Sequence, residues 1–174
     1  MNDTGRGARP APVVLGVTVH QPHQVLEAAL QLARRFGTWL VCAHVDASSY
    51  VVEEHPDGTV EARPVDPDLP DWTSRQTDPA VAERLRAAGA AQGVDVEVRD
   101  LAGDVGEALA HLADTLSAQL IVVGSRRGGV RASMHDLLGG SVAAHLIHRQ
   151  SRPVLVIPFA PSSDAAHLPG DAAS

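Results

Sequence analysis

Leu120-Ile121-Val122-Val123-Gly124-Ser125-Arg126-Arg127-Gly128-Gly129 is the stretch that decides the fold. Its unbroken apolar start reads as a strand covered on both faces, because a strand with one wet face alternates apolar and polar residues. The strand then stops in a glycine- and arginine-rich loop. Working outward, three more runs have the same character: Val13–Val19, Leu40–Val45 and Val154–Ile157. A fifth, Val94–Leu101, sets Val94, Val96 and Val98 against Asp95, Glu97 and Arg99, which predicts an edge strand with one wet face.

Helical patterns fill the gaps. Gln24–Phe36 places Val25, Leu26, Ala29, Leu30 and Ala33 on one face, and Gly37 supplies a stop. Asp78-Pro79 reads as an N-cap followed by proline in the first turn, opening a helix that runs to about Gly93. Asp104-Val105-Gly106-Glu107 has capping-box-like spacing ahead of Leu109, Leu112, Ala113 and Leu116. Val142–Arg149 gives the last helix, and Arg152-Pro153 leads into the last strand. Strands alternating with helices require βαβ crossovers, so the expected class is α/β. The architecture is a doubly wound, open parallel five-stranded sheet with helices on both faces.

Two regions break the rhythm. Asp46–Thr77 is too long for an ordinary connection. Inside it, Val51-Val52-Glu53-Glu54 and Thr59-Val60-Glu61-Ala62 flank His55-Pro56-Asp57-Gly58, a β-hairpin signal because Asp-Gly tolerates the positive φ of a tight turn. Residues 47–77 are therefore expected to form an acidic surface excursion. The domain itself spans 12–159, between a disordered N-terminus (1–11) and a disordered Ala/Ser/Asp/Pro-rich tail (160–174).

Composition narrows the function. Over 174 residues the formal net charge is −7 and the pI is about 5.6, which argues against nucleic acid as a partner. All 14 basic residues are Arg. Without lysine there is no Walker-type phosphate clamp, so a phosphate must be met by backbone amides and guanidinium groups. The Arg, Ala and Gly richness resembles that of high-GC bacterial proteins. No apolar run approaches the roughly 20 residues needed to cross a bilayer, so no membrane association is expected. A single cysteine, Cys42, lies in an apolar run. It reads as a core residue in a reducing, cytoplasmic setting.

Chemistry concentrates late in the chain. Gly124 ends the decisive strand, and Gly139-Gly140-Ser141 precedes the last helix. Glycines admit a ligand to the backbone, and amides at a helix N-terminus attract anions. Ser141 can cap that helix or donate to a phosphate. From Gly124 to Arg152 five Arg face one Asp, a local balance of +4. Taken alone, the loop reads equally well as a binding loop and as a solvated Arg cluster. Its place favours binding, because open parallel sheets hold ligands beyond the strand C-termini where strand order reverses.

Leu120 through Ser141, followed by Arg152-Pro153-Val154-Leu155-Val156-Ile157, resembles the C-terminal half of the universal stress protein family. The family pattern is Gly, two residues, Gly, nine residues, Gly and Ser or Thr, then a helix and a Pro-Val-Leu-Val-Val-like strand. Val14-Leu15-Gly16-Val17 and Ala43-His44-Val45-Asp46 resemble its first two strands, so the likeness runs from about Pro12 to Pro158. It implies a Rossmann-like fold of the adenine nucleotide alpha hydrolase type, with strand order 3-2-1-4-5. It also implies a regulatory module that binds ATP or AMP, with Mg accompanying ATP. By position, Gly124, Arg126, Gly140, Ser141 and Val142 would contact ribose and phosphates, and Val45 would offer backbone contacts to adenine. Gly16 and Thr18 would stand at the crevice end of the first strand.

The sequence departs from the family pattern in three places. Thr18 stands where ATP-binding members usually carry Asp. Arg127 occupies the second motif glycine, with Gly128 one position late. The spacer to Gly140-Ser141 exceeds nine residues. These departures support an alternative: a member of the same fold that has lost its nucleotide and works as a dimeric partner-interaction protein in the stress response. The resemblance implies a homodimer, with the apolar last strand Val154–Phe159 as the pairing edge. A further regulatory protein partner is expected without any indication of its identity.

Other signals are weak. His20 and His23, and the helical pair His145 and His148, lack a third ligand at metal-site spacing. No Gly-x-Ser-x-Gly elbow is present, and no Gly-x-Gly-x-x-Gly follows the first strand. No residue is nominated as a general base, so catalysis is not expected beyond slow ATP hydrolysis.

Overall fold

The computed structural model describes residues 9–18, 23–54, 60–64, 76–125 and 142–158. At its centre is β1 (Val13–Val17), whose first three residues are fully buried. β2 (Leu40–Asp46) pairs with β1 on one side, starting with Val13 opposite Leu40. β6 (Leu120–Gly124) pairs on the other, with Val13 opposite Leu120. β5 (Val96–Ala102) lies outside β2, and β7 (Val154–Ile157) lies outside β6. Every pairing is parallel, and the order is β5-β2-β1-β6-β7. Counted over these five strands alone, this is the expected 3-2-1-4-5.

Alternate residues of the central strands feed two cores. On one face, Val13, Leu15, Leu40, Cys42 and Val122 meet Val25, Ala29, Leu30 and Ala33 of α1 (His23–Arg35). Leu85 of α2 (Pro79–Ala91) joins the same core. On the other face, Val14, Val41 and Ile121 meet Leu109, Leu112 and Ala113 of α3 (Val105–Thr115) and Leu146 of α4 (Val142–Arg149). Two-sided burial is what the unbroken apolar runs of β1, β2 and β6 require; the fourth run, β7, departs from that expectation because it is an edge strand, with Leu155 and Val156 exposed.

Local signals set the helix boundaries. α1 ends at Gly37, which takes φ +62; Arg34 and Arg35 in its last turn face the negative end of the helix dipole. Asp78 caps α2 by accepting from the Ala80 amide at 2.8 Å, with Pro79 as the first helical residue. Asp104 caps α3 by accepting from the Glu107 amide at 2.9 Å. β5 begins two residues later than its alternation suggests, because the Val94 amide still donates to Gly89 O at the end of α2. Leu101 and Ala102 at its far end are buried, so its wet face covers only the middle of the strand.

The long excursion after β2 does contain a hairpin, β3 (Ser49–Glu54) antiparallel to β4 (Val60–Pro64). Its turn, including Asp57-Gly58, lies outside the described residues. The hairpin leaves β2 directly: the buried Asp46 carboxylate accepts from the Ser48 amide at 3.0 Å and from the Ser49 hydroxyl at 2.6 Å.

The expected disordered N-terminus needs a correction at its end. Arg9 stacks 3.7 Å from the Trp39 ring centroid and pairs with Asp95. Trp39 Nε1 donates to Pro10 O at 2.8 Å, and the Gln119 side chain donates to Ala11 O at 2.8 Å. These contacts tie residues 9–11 across the N-terminal edge of the sheet. Residues 1–8 and the 160–174 tail lie outside the described residues.

Candidate functional site

Because all five strands are parallel, their C-termini share one edge, and crossover helices begin there. The chain runs from β1 to β2 on one side and reaches β6 on the other, so the switch point lies between β1 and β6. Thr18 follows β1 and is exposed. Val45, half-buried against the α3–α4 core, is the penultimate residue of β2 and pairs with Leu101. Gly124 ends β6 opposite Ile157, and the next amide, Ser125 N, donates to Ile157 O at 2.9 Å. Val142 opens α4, half-buried against the same core as Val45. The topology thus brings Thr18, Val45, Gly124 and Val142 to one edge.

Gly16 sits lower and serves packing. A Cβ there would stand 3.0 Å from Leu109 Cδ1 and 3.5 Å from Val123 Cγ1, so its bare backbone makes room for α3. The remaining residues of the expected site, Arg126, Arg127, Gly128, Gly140 and Ser141, lie outside the described residues. One member of the late Arg cluster is elsewhere altogether. Arg152 precedes β7 at the N-terminal edge of the sheet, where its Nε donates to Ala118 O at 2.9 Å and its guanidinium pairs with Asp114. It locks the α3–β6 turn to β7 and adds nothing to charge at the crevice.

The sequence reading missed a polar cluster at the same edge, on the α2 side. His44 and Asp100 are register partners on β2 and β5, with His44 Nδ1 3.6 Å from Asp100 Oδ1. Asp100 also accepts from the Thr77 amide at 2.9 Å and from its hydroxyl at 2.6 Å. Burial pushes the Asp100 pKa up, but the His44 imidazole and the two Thr77 donors outweigh it and hold the carboxyl below its ordinary value. The cluster pins the segment that leads into α2. A histidine inside the apolar run Leu40–Val45 was the available signal.

His23 is exposed and pairs with Glu27 at 3.3 Å, one turn along α1. Among the described residues no three His, Cys, Asp or Glu gather as metal ligands. Cys42 is fully buried, and burial raises its pKa to about 12, which leaves the thiol protonated and inert. No helix among the described residues is long and apolar enough to cross a membrane.

Fold and crevice define a doubly wound α/β domain whose ligand edge lies at the strand C-termini. The chain belongs to the universal stress protein family, whose model matches residues 12–158. Solved structures of the family share the fold. A universal stress protein solved in complex with cAMP is 24% identical, covers 86% of this chain and 98% of its own, and has a TM-score of 0.55. The protein from Archaeoglobus fulgidus, in complex with dAMP, is 18% identical over 84% of this chain and 96% of its own, with a TM-score of 0.53. A family member from Arabidopsis thaliana with AMP bound is 18% identical over 90% of this chain and 99% of its own, with a TM-score of 0.55. No curated protein matches the chain significantly.

Proposed function

We propose that this universal stress protein is a regulatory module that binds an adenine nucleotide, AMP or ATP, at the strand C-termini between β1 and β6. The observation that carries the reading is the convergence of Thr18, Val45, Gly124 and the start of α4 on the switch-point edge. Backbone amides and a helix N-terminus at such an edge suit a phosphate in a chain without lysine. Structures with cAMP, dAMP and AMP bound to family members lend support. Val45 would present its backbone to the base. Gly124, Val142, and by resemblance Arg126, Arg127, Gly128, Gly140 and Ser141, would face ribose and phosphates. Thr18 offers a hydroxyl in place of the usual carboxylate. Any Mg would arrive with the phosphates of ATP, since the described residues gather no metal-ligand cluster.

Isothermal titration of the full chain with AMP and with ATP, alongside Gly140→Asp, tests the proposal. Micromolar binding that disappears in the variant is expected, because a carboxylate would meet the phosphates. Absence of both heat and thermal stabilisation with either nucleotide would overturn it.

A second reading has its own observation. β7 is a sheet edge whose Leu155 and Val156 are 38% and 40% exposed. That apolar edge supports a homodimer acting through partner surfaces, in the cytoplasm, with or without nucleotide.

A further inference from the structure

The β3–β4 hairpin packs on β5 and stands off α3. Between hairpin and helix lies a cavity of about 300 Å³. Val51 and Val60 form its roof, Leu101 its floor, and Ala108 and Leu112 the middle of its helical wall. Asp104, Glu107, His111 and Thr115 complete that wall, all on one stripe of α3 at helical spacing. The stripe makes the cavity a slot about 16 Å long, narrow for its volume. None of Thr18, Val45, Gly124 or Val142 lines it, so it is separate from the nucleotide edge.

What the slot takes follows from its polar groups, which are already in use. The Gly103 amide donates to Asp46 O at 3.1 Å. Asp104 is the α3 cap, accepting from the Glu107 amide at 2.9 Å. The Thr115 hydroxyl donates to His111 O at 3.0 Å, and Glu107 and His111 are likewise engaged. A charged or strongly polar ligand would give up its hydration with no waiting partner in return. The rest of the lining is aliphatic, and a cavity of that kind holds hydrocarbon rather than ordered water. Its volume is at the small end of ligand pockets and about twice that of an apolar cavity that admits benzene. The roof has room for a guest: Val51 is 42% exposed, on a two-stranded ribbon of a kind that is marginal by itself. Interiors leave few voids larger than a water molecule, so a ligand that fills the slot would restore packing and steady the hairpin.

We infer that this slot binds an uncharged, straight-chain aliphatic molecule of about eight carbons. The chain lies along α3, with Val51 and Val60 on one side and Ala108 and Leu112 on the other. The inference does not rest on nucleotide binding.

Octan-1-ol is the probe, and diethylene glycol monoethyl ether is its control, a chain of the same length with two methylenes replaced by ether oxygens. The full chain is titrated calorimetrically, and methyl NMR shifts at Val51, Val60 and Leu112 locate the site. AMP titrated into the same samples reports the other edge independently. Octan-1-ol is expected to bind and shift all three residues, whereas the ether does not bind. Affinity should rise about fourfold per methylene from butan-1-ol to octan-1-ol. Octylamine, charged at neutral pH, should bind more weakly than the alcohol. Ala108→Phe, which fills the slot, should abolish binding. Thr115→Trp, at an exposed position at the far end, blocks the slot should Ala108→Phe fail to fold. Absence of octan-1-ol binding, equal binding of the ether, tighter binding of octylamine, or binding that survives in a folded blocked variant would each overturn the inference.

Discussion

Asp100 illustrates how one side chain can hold a crossover in place. Its carboxylate joins β5 to the residue before the α2 cap and faces the imidazole of β2. Its folded pKa lies below the ordinary carboxylate value, so folding favours the ionised form. The unfolded chain therefore takes up a proton first as pH falls. The stabilisation is fully present above the ordinary carboxylate pKa of about 3.9 and is lost as pH falls through the lower folded value. Urea denaturation of the wild type and Asp100→Asn should show a gap in midpoint at about pH 6 that narrows as pH falls below the ordinary carboxylate value. A gap that keeps its size as pH falls would reject the role assigned to the charge. The pair His44–Asp100 was not legible in the sequence, because 56 residues separate its members and only the register of β2 on β5 makes them neighbours.

At the scale of elements, helix-to-sheet distance is set by small residues whose purpose a linear reading does not reveal. Gly89 sits inside α2, where glycine is unfavourable by about 1 kcal/mol relative to alanine. A Cβ there would meet Val96 Cγ2 at 2.3 Å and Val94 O at 2.6 Å, so α2 could not keep its seat on β5. The backbone oxygen cannot rotate away as a side chain can. Gly89→Ala should therefore destabilise by about 1–2 kcal/mol despite its better helix propensity. Gly16→Ala meets only the side chains of Leu109 and Val123, at 3.0 Å and beyond, and should cost less. Thermal unfolding of the two variants decides; a larger loss at Gly16 would contradict the packing account. The elements themselves were readable, since periodicity and caps are local: Asp78, Gly37 and Asp104 all act where the sequence placed them. The hairpin was readable from its own pattern, but what its inner face meets depends on α3, more than forty residues downstream of β3. The charge sum over the Arg cluster was wrong at Arg152 for a related reason. Summing charge along the chain joined Arg152 to Arg126 and Arg127, although Arg152 precedes β7 and stands at the edge of the sheet opposite Gly124.

For the molecule as a whole, the two faces of the sheet are covered by helices, while its two edges are treated differently. β5 carries Glu97, Arg99 and Asp100, with Arg99 paired to Glu97 at 2.6 Å, and charged side chains discourage further strand pairing. β7 carries Leu155 and Val156, both substantially exposed, and no charged residue between Val154 and Ile157. An open apolar edge of this kind is an association surface unless something covers it, and a second copy placing β7 against β7 would do so with twofold symmetry. Leu155→Arg with Val156→Glu should convert a dimer to monomer in sedimentation or light scattering. Far-UV circular dichroism should be retained, because neither side chain belongs to the two cores. A wild type that is monomeric at high micromolar concentration would remove β7 as the pairing edge. So would a double variant that still dimerises, and in that case the association would have to run through another surface, the exposed Tyr50 and Val52 of the hairpin being the next apolar pair to test.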